Sequence, residues 1–234
     1  MNKLIEINSN ELVNKHRCPL CCSRSRRLIC NLPKLVQSNS FEIVYETTIS
    51  VFKCEKCSLQ YKDPIPVKNV DLKVYQNYAL KKKLRWARKY PNDLLQHFDF
   101  QVTDKILEVG PGETPVCTVS KMGDHYRMDI DESHLDTFGV VSENNKARLI
   151  LGSIDQPVSE DYFEHFDYIL LFDVIEHVED VDQVFKNLIR LLKPGGKVLI
   201  ETGNSLSRSA NEQNKYWKYY SIPEHRVFFT KKAV

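Results

Sequence analysis

Two C-x2-C pairs, Cys18 with Cys21 in "CPLC" and Cys54 with Cys57 in "CEKC", are the strongest chemical signal in this sequence. Each pair aims two thiolates at one ion, and together they complete the tetrahedral sulfur shell of Zn2+. Four thiolates leave no position for water, so the metal's expected role is structural, supplying folding free energy to a segment short of its own core. Cys22 and Cys30 are alternative ligands that form no further pair, and Cys117 reads as a small core residue. A second signal is "ILEVGPGE", an apolar run ending in Glu108, after which Gly110 and Gly112 flank a proline. Glycines there let backbone pass close to a ligand. Asp129, nineteen residues after Gly110, closes the next apolar run, where an acid accepts hydrogen bonds from both hydroxyls of a ribose. The third signal is a set of proton acceptors: Asp173, Glu176 and His177 in "DVIEHV" and His225 in "IPEHRVFFT". Carboxylates and imidazoles can take a proton from a reacting group or hold a divalent ion.

These residues need elements to position them. From Lys105 onward "KILEV", "HYRMDI", "ARLIL", "DYILLFDV" and "KVLIET" read as five strands separated by amphipathic segments. The clearest helix is "VEDVDQVFKNLIRLLK", with Val181, Val184, Leu188, Leu191 and Leu192 on one stripe, ended by "PGG". Alternating strands and helices predict right-handed crossovers and a parallel sheet, with ligands bound beyond the strands' carboxyl ends. The stretch that begins "DPIPV" opens with two prolines, and residues 66–100 then show helix-like spacing, the pattern of a helical linker or cap. Within the cysteine-rich segment, "FEIVYETTISVFKC" reads as β-strand and predicts a ribbon-like module.

"EVGPG", then "MDIDESHL", then "FDYILLFDVIEHVEDVDQVFKNLIRLLKPGGKVLIET" resemble the class I S-adenosylmethionine-dependent methyltransferases. The resemblance implies an α/β fold with a Rossmann-like, doubly wound, mainly parallel sheet over residues 101–234. A zinc-ribbon-like module precedes it in residues 1–65. It implies that Glu108 faces the methionine amino group, that Gly110 and Gly112 underlie the amino acid and ribose, that Asp129 holds the ribose hydroxyls and that Ile130 packs on adenine. Ser153 stands where the family often has an acid for the adenine amino group, so its hydroxyl or nearby Asp155 takes that role, and Asp173 lies beside the cofactor. His177 is then a candidate general base oriented by Glu176, or a helix cap. By resemblance to ubiquinone-pathway and small-RNA O-methyltransferases, Asp173, Glu176, His177 and His225 can also form a site for Mg2+ or Mn2+. "CPLC…KCEKCSLQYKDPIP" is similar to the cysteine-rich modules that precede methyltransferases of sugars and other small metabolites. The family's final antiparallel hairpin is expected to be missing from residues 203–234, through truncation or because a second subunit or another partner covers that edge.

The implied enzyme is a methyltransferase of the EC 2.1.1 class acting on a small metabolite or saccharide. The contrasting reading is a catalytically silent module that keeps the fold and uses its zinc ribbon to contact protein or nucleic acid. Lys+Arg 33 against Asp+Glu 31 gives a formal net charge of +2, which does not predict nucleic-acid or membrane binding. No apolar run reaches membrane-spanning length and the first residues lack a secretory apolar core, so a cytoplasmic location is expected. Seven cysteines fit a reducing compartment. The run "NKYWKYYSIPEH" is a candidate acceptor pocket or a cover for the sheet, and "KKKLRWARK" reads as a solvated helix face.

Overall fold

The computed structural model of the chain describes residues 3–37, 41–67, 70, 98–111, 123–131 and 148–233. Gly112, Cys117 and nearly all of the expected helical linker lie outside the described residues. The chain divides into two compact units, one of Met1–Arg85, Glu176–Glu179 and Gly203–Val234, the other of Trp86–Ile175 and Asp180–Thr202.

The first unit begins with eight short strands: β1 Lys3–Ile7, β2 Leu12–Val13, β3 Arg26–Asn31, β4 Leu35–Gln37, β5 Phe41–Tyr45, β6 Ser50–Cys54, β7 Gln60–Asp63 and β8 Ile65–Pro66. Period-2 alternation decides which faces are buried. Ile5 and Ile7 of β1 and Ile43 and Tyr45 of β5 point into one core, while Leu4 and Glu6 are exposed. β1 and β5 pair in parallel and β4 joins β5 antiparallel; β2 pairs with β8, and β3, β6 and β7 form an antiparallel run. The strand expected across "FEIVYETTISVFKC" is thus two strands in different sheets. The core of this unit also takes in Trp217, Tyr220 and Phe228 from far along the chain. Burying each large side chain contributes about 1.5–3 kcal/mol.

The second unit is one sheet of five parallel strands: β9 Lys105–Val109, β10 Asp124–Asp129, β11 Arg148–Leu151, β12 Phe166–Phe172 and β13 Leu192–Glu201, in the order β11-β10-β9-β12-β13. Its strands are the expected ones, and their continuous burial fits strands covered on both faces. Helix α1, Val181–Leu191, starts at Asp180, whose carboxylate accepts the Gln183 N–H at 3.0 Å. It buries Val181, Val184, Leu188 and Leu191. Leu192, expected on the same stripe, is not helical: its extended backbone (ψ 139°) already begins β13. Lys193 precedes Pro194 and is disfavoured in helical conformation, so the helix must stop here. Among the described residues no sixth strand joins this sheet.

Residues 203–233 contain helices α2, Arg208–Gln213, and α3, Lys218–Ser221, then strand β14, Val227–Phe228. Grouped on sequence with residues 101–202, they belong instead to the first unit. β14 pairs antiparallel with β7, Val227 opposite Tyr61 and Phe228 opposite Gln60, and the Lys62 N–H donates to the Arg226 carbonyl at 2.9 Å. No helix among the described residues is long and apolar enough to cross a membrane.

Candidate functional site

The four cysteines converge. Cys18 Sγ lies 3.6 Å from Cys57 Sγ and Cys21 Sγ lies 3.5 Å from Cys54 Sγ, with all four sulfurs within 4.8 Å of one another. A tetrahedral ion with metal–sulfur bonds of about 2.3 Å needs sulfurs roughly 3.8 Å apart, so the cluster has the dimensions to hold one. The two pairs are built alike. Cys22 and Ser58, each directly after the second cysteine of its pair, occupy the left-handed region (φ 55° and 69°). Their N–H groups donate to the carbonyls of Cys18 and Cys54, both at 3.0 Å. The N–H groups of Cys18 and Cys54 in turn donate to Ser23 and Leu59, at 2.9 and 2.8 Å. Burial pushes the Cys18 thiol upward, and pushes Cys57 up to about 11. Burial opposes ionisation of Cys54 too, but N–H groups of Cys57 and Lys56 and the neighbouring thiols hold it down at about 7. Proximity without a cation resists collecting four negative charges, and a divalent ion would reverse this.

In the sheet unit the expected ligand residues sit at or near the carboxyl ends of strands. Gly110 follows β9 with φ +60° and donates its N–H to the Met128 carbonyl at 2.7 Å. A Cβ there would lie 2.7 Å from Val174 Cγ2, so glycine is required both by conformation and by the approach of the segment after β12. Asp129 ends β10, is 6% exposed, and accepts the Asp131 N–H at 3.0 Å through Oδ1. Its register partner on β11 is Leu151, and Leu151 and Ile130 are 61% and 44% exposed. A buried carboxylate beside uncovered apolar groups is an arrangement for a ligand with a polar sugar and a flat apolar ring. Ser153 donates its hydroxyl to Asp155 Oδ1 at 2.6 Å, so the two residues offered as alternatives form one hydrogen-bonded pair. Asn187 of α1 braces their loop, donating to the carbonyls of Ile154 and Gln156, both at 2.7 Å. Asp173 is exposed, carries a positive φ of 51°, and donates its N–H to Glu201 at 3.1 Å. Glu108 is buried on β9, and the parallel register sets Arg127 of β10, also buried, directly beside it. Sequence reasoning missed Arg127; a basic residue inside an apolar strand pattern was the available signal.

Glu176, His177 and His225 come together in the first unit, their ligand atoms within 4.8 Å of one another; Asp173 belongs to the other unit and is not in that group. The Glu176 carbonyl accepts the N–H groups of Arg226 and Val227 at 2.7 and 3.2 Å, which ties "EHVE" to the end of the chain. The rings of His177 and His225 meet edge to face, 4.7 Å between centroids. His225 is 6% exposed, and burial, with lesser contributions from His177 and Lys62, lowers its pKa to about 2. It is therefore neutral at physiological pH, a lone-pair donor and a weak base. Its Nδ1 lies 3.1 Å from the Tyr219 carbonyl. A carbonyl can only accept, so Nδ1 carries the hydrogen and Nε2 offers the lone pair. Of the run "NKYWKYYSIPEH", Trp217 and Tyr220 go to the core, and Tyr219 packs against that core while its ring meets His225.

The family model for the methyltransferase domain matches residues 78–234, and the chain belongs to that family. A ubiquinone biosynthesis O-methyltransferase of Rickettsia bellii is 32% identical over 108 residues, 45% of this chain and 44% of that protein. Phosphoethanolamine N-methyltransferase 2 of Caenorhabditis elegans is 26% identical over 146 residues, 57% of this chain and 32% of that protein. The chain thus spans less than half the length of these curated relatives. In fold it is similar to an S-adenosylmethionine-dependent methyltransferase of Thermotoga maritima, with TM-score 0.50 and 17% identity over 69% of this chain and 72% of that one. The sheet unit has the class I, Rossmann-like methyltransferase fold.

Proposed function

We propose that this chain is an S-adenosylmethionine-dependent methyltransferase acting on a small molecule through a hydroxyl or amine. The observation that carries the reading is the buried Asp129 carboxylate at the end of β10, with exposed Ile130 and Leu151 beside it and the Gly110 turn on the neighbouring strand. Asp129 would bind the ribose hydroxyls, Ile130 and Leu151 the adenine faces, and the Ser153–Asp155 pair the adenine amino group. Gly110, and Gly112 after it, would lie under the amino acid, with Glu108 toward its amino group and Asp173 at the rim. S-Adenosylmethionine supplies an electrophilic methyl group, so the protein's tasks are to orient the acceptor and remove its proton.

Within the first unit, Glu176, His177 and His225 are the candidate groups for taking a proton or for holding a divalent ion. Their set presents a carboxylate and imidazole nitrogens, donors that would suit Mg2+ or Mn2+. With His225 held near 2, metal ligation suits it better than service as the base. The relatives named as an O- and an N-methyltransferase support a small-molecule acceptor carrying oxygen or nitrogen; a saccharide is one member of that class. The four cysteines would hold a structural Zn2+. The test is calorimetric titration of the zinc-loaded chain with S-adenosylhomocysteine, with NAD as control. Micromolar binding of the first alone is expected. Binding of NAD alone, or of neither, would overturn the proposal.

A further inference from the structure

We infer that Tyr219 is the positioning residue of the Glu176–His177–His225 group, acting on two of its members at once. The inference rests on reading that group as a cation site.

The phenol of Tyr219 donates to Glu176 Oε1 and accepts the Gly203 N–H at 2.9 Å. A carboxylate on a flexible side chain is thereby fixed in one rotamer, and the phenol's own orientation is fixed from behind by the backbone. The Tyr219 ring packs on His225 with centroids 4.1 Å apart, and the Tyr219 carbonyl accepts from His225 Nδ1. One residue therefore sets the direction of a carboxylate oxygen and the tautomer of an imidazole. That is what a partner behind a metal ligand does, and losing such a partner weakens metal binding by roughly 10–100-fold. Position 203 is shaped for it: a Cβ on Gly203 would come within 2.5 to 2.9 Å of three atoms of the Tyr219 ring. Trp217 stacks on the Tyr219 ring, 5.1 Å between centroids, and restrains it.

The experiment titrates Mn2+ into the full, zinc-loaded chain and follows the free ion by electron paramagnetic resonance. Tyr219→Phe should bind Mn2+ at least tenfold more weakly than wild type, with zinc content and S-adenosylhomocysteine affinity unchanged. Because Tyr219 acts through Glu176, Tyr219→Phe should add little to the loss in Glu176→Ala. Equal Mn2+ affinity in wild type and Tyr219→Phe would overturn the role of Tyr219 alone, as would additive losses in the double variant. No Mn2+ binding by the wild type would overturn the cation site, and Tyr219's role with it. This comparison uses the double variant to separate positioning from a general loss of folding, which would lower zinc content and cofactor affinity too.

Discussion

The four-cysteine cluster and the Glu176–His177–His225 group belong to the same compact unit, yet they are assembled in opposite ways. The cysteines come from two local turns with the same hydrogen bonds and the same left-handed residue, so each half of the cluster is defined within six residues of chain. The second group joins two segments 49 positions apart, held by the N–H groups of Arg226 and Val227 on the Glu176 carbonyl and by Tyr219. The difference teaches what each can do. Four sulfurs close a tetrahedron and leave the ion nothing further to bind, which suits architecture. A carboxylate and two imidazoles leave positions open, and His177 is only half-buried, which suits chemistry.

The largest expected effect breaks the closed cluster. Structural zinc contributes on the order of 10 kcal/mol, comparable to the whole stability of a domain. Cys54→Ser should therefore lose stoichiometric zinc and the near-ultraviolet circular dichroism of the aromatic core around Trp217. A variant that kept both would remove the structural reading. The next test asks whether the cofactor residues are separate from both clusters. If Asp129 holds the ribose as proposed, Asp129→Ala would give up two charge-assisted hydrogen bonds, about 3 kcal/mol, and should weaken S-adenosylhomocysteine at least a hundredfold by calorimetry while zinc content stays at one equivalent.

Acidification sharpens the contrast from the other side. His225 has a folded value near 2 against an ordinary 6.5, so the unfolded chain takes up the proton first. Its contribution to stability is full above pH 6.5 and is lost as pH falls toward 2, at about 1.4 kcal/mol per pH unit within that window. Urea midpoints should fall between pH 6.5 and 5, and His225→Phe should flatten that slope; an unchanged slope would contradict the buried neutral imidazole. The smallest effect is Gly203→Ala. Crowding the Tyr219 ring should destabilise by about 1 kcal/mol and weaken Mn2+ binding, leaving zinc untouched. Loss of zinc instead would show that the two clusters are not independent.

Local pattern alone made several features readable. Alternation and 3.6-residue spacing marked the five strands and α1, because side-chain direction repeats along the chain whatever the strand later pairs with. The C-x2-C spacing marked the cysteine pairs, because two thiolates three residues apart reach one ion across a single turn. The positions of Gly110 after β9 and of Asp129 at the end of β10 were readable from a strand–turn–strand pattern. Leu192 was misread as helical because periodicity ran on by one residue, and the restriction that Pro194 places on Lys193 decided the boundary.

Partner choice was not written locally. "VFFT" has the pattern of a short strand, but nothing in it specifies pairing with β7, 166 positions earlier, from Val227 to Tyr61. That pairing follows from burying Phe228 with Trp217 and Tyr220 in the core of the first unit. It also places Arg226 and Val227 to bind the Glu176 carbonyl and so brings His225 to His177. Tyr219 is one of four aromatics in its run, with Tyr216, Trp217 and Tyr220, and only tertiary packing separates it from the other three. The sequence by itself determined most of the elements that form and marked the candidate residues for chemistry, since propensity, periodicity and ligand spacing act over a few residues. The tertiary structure alone decided which of those residues meet, because long-range pairing is settled by the burial and hydrogen bonding of the whole unit.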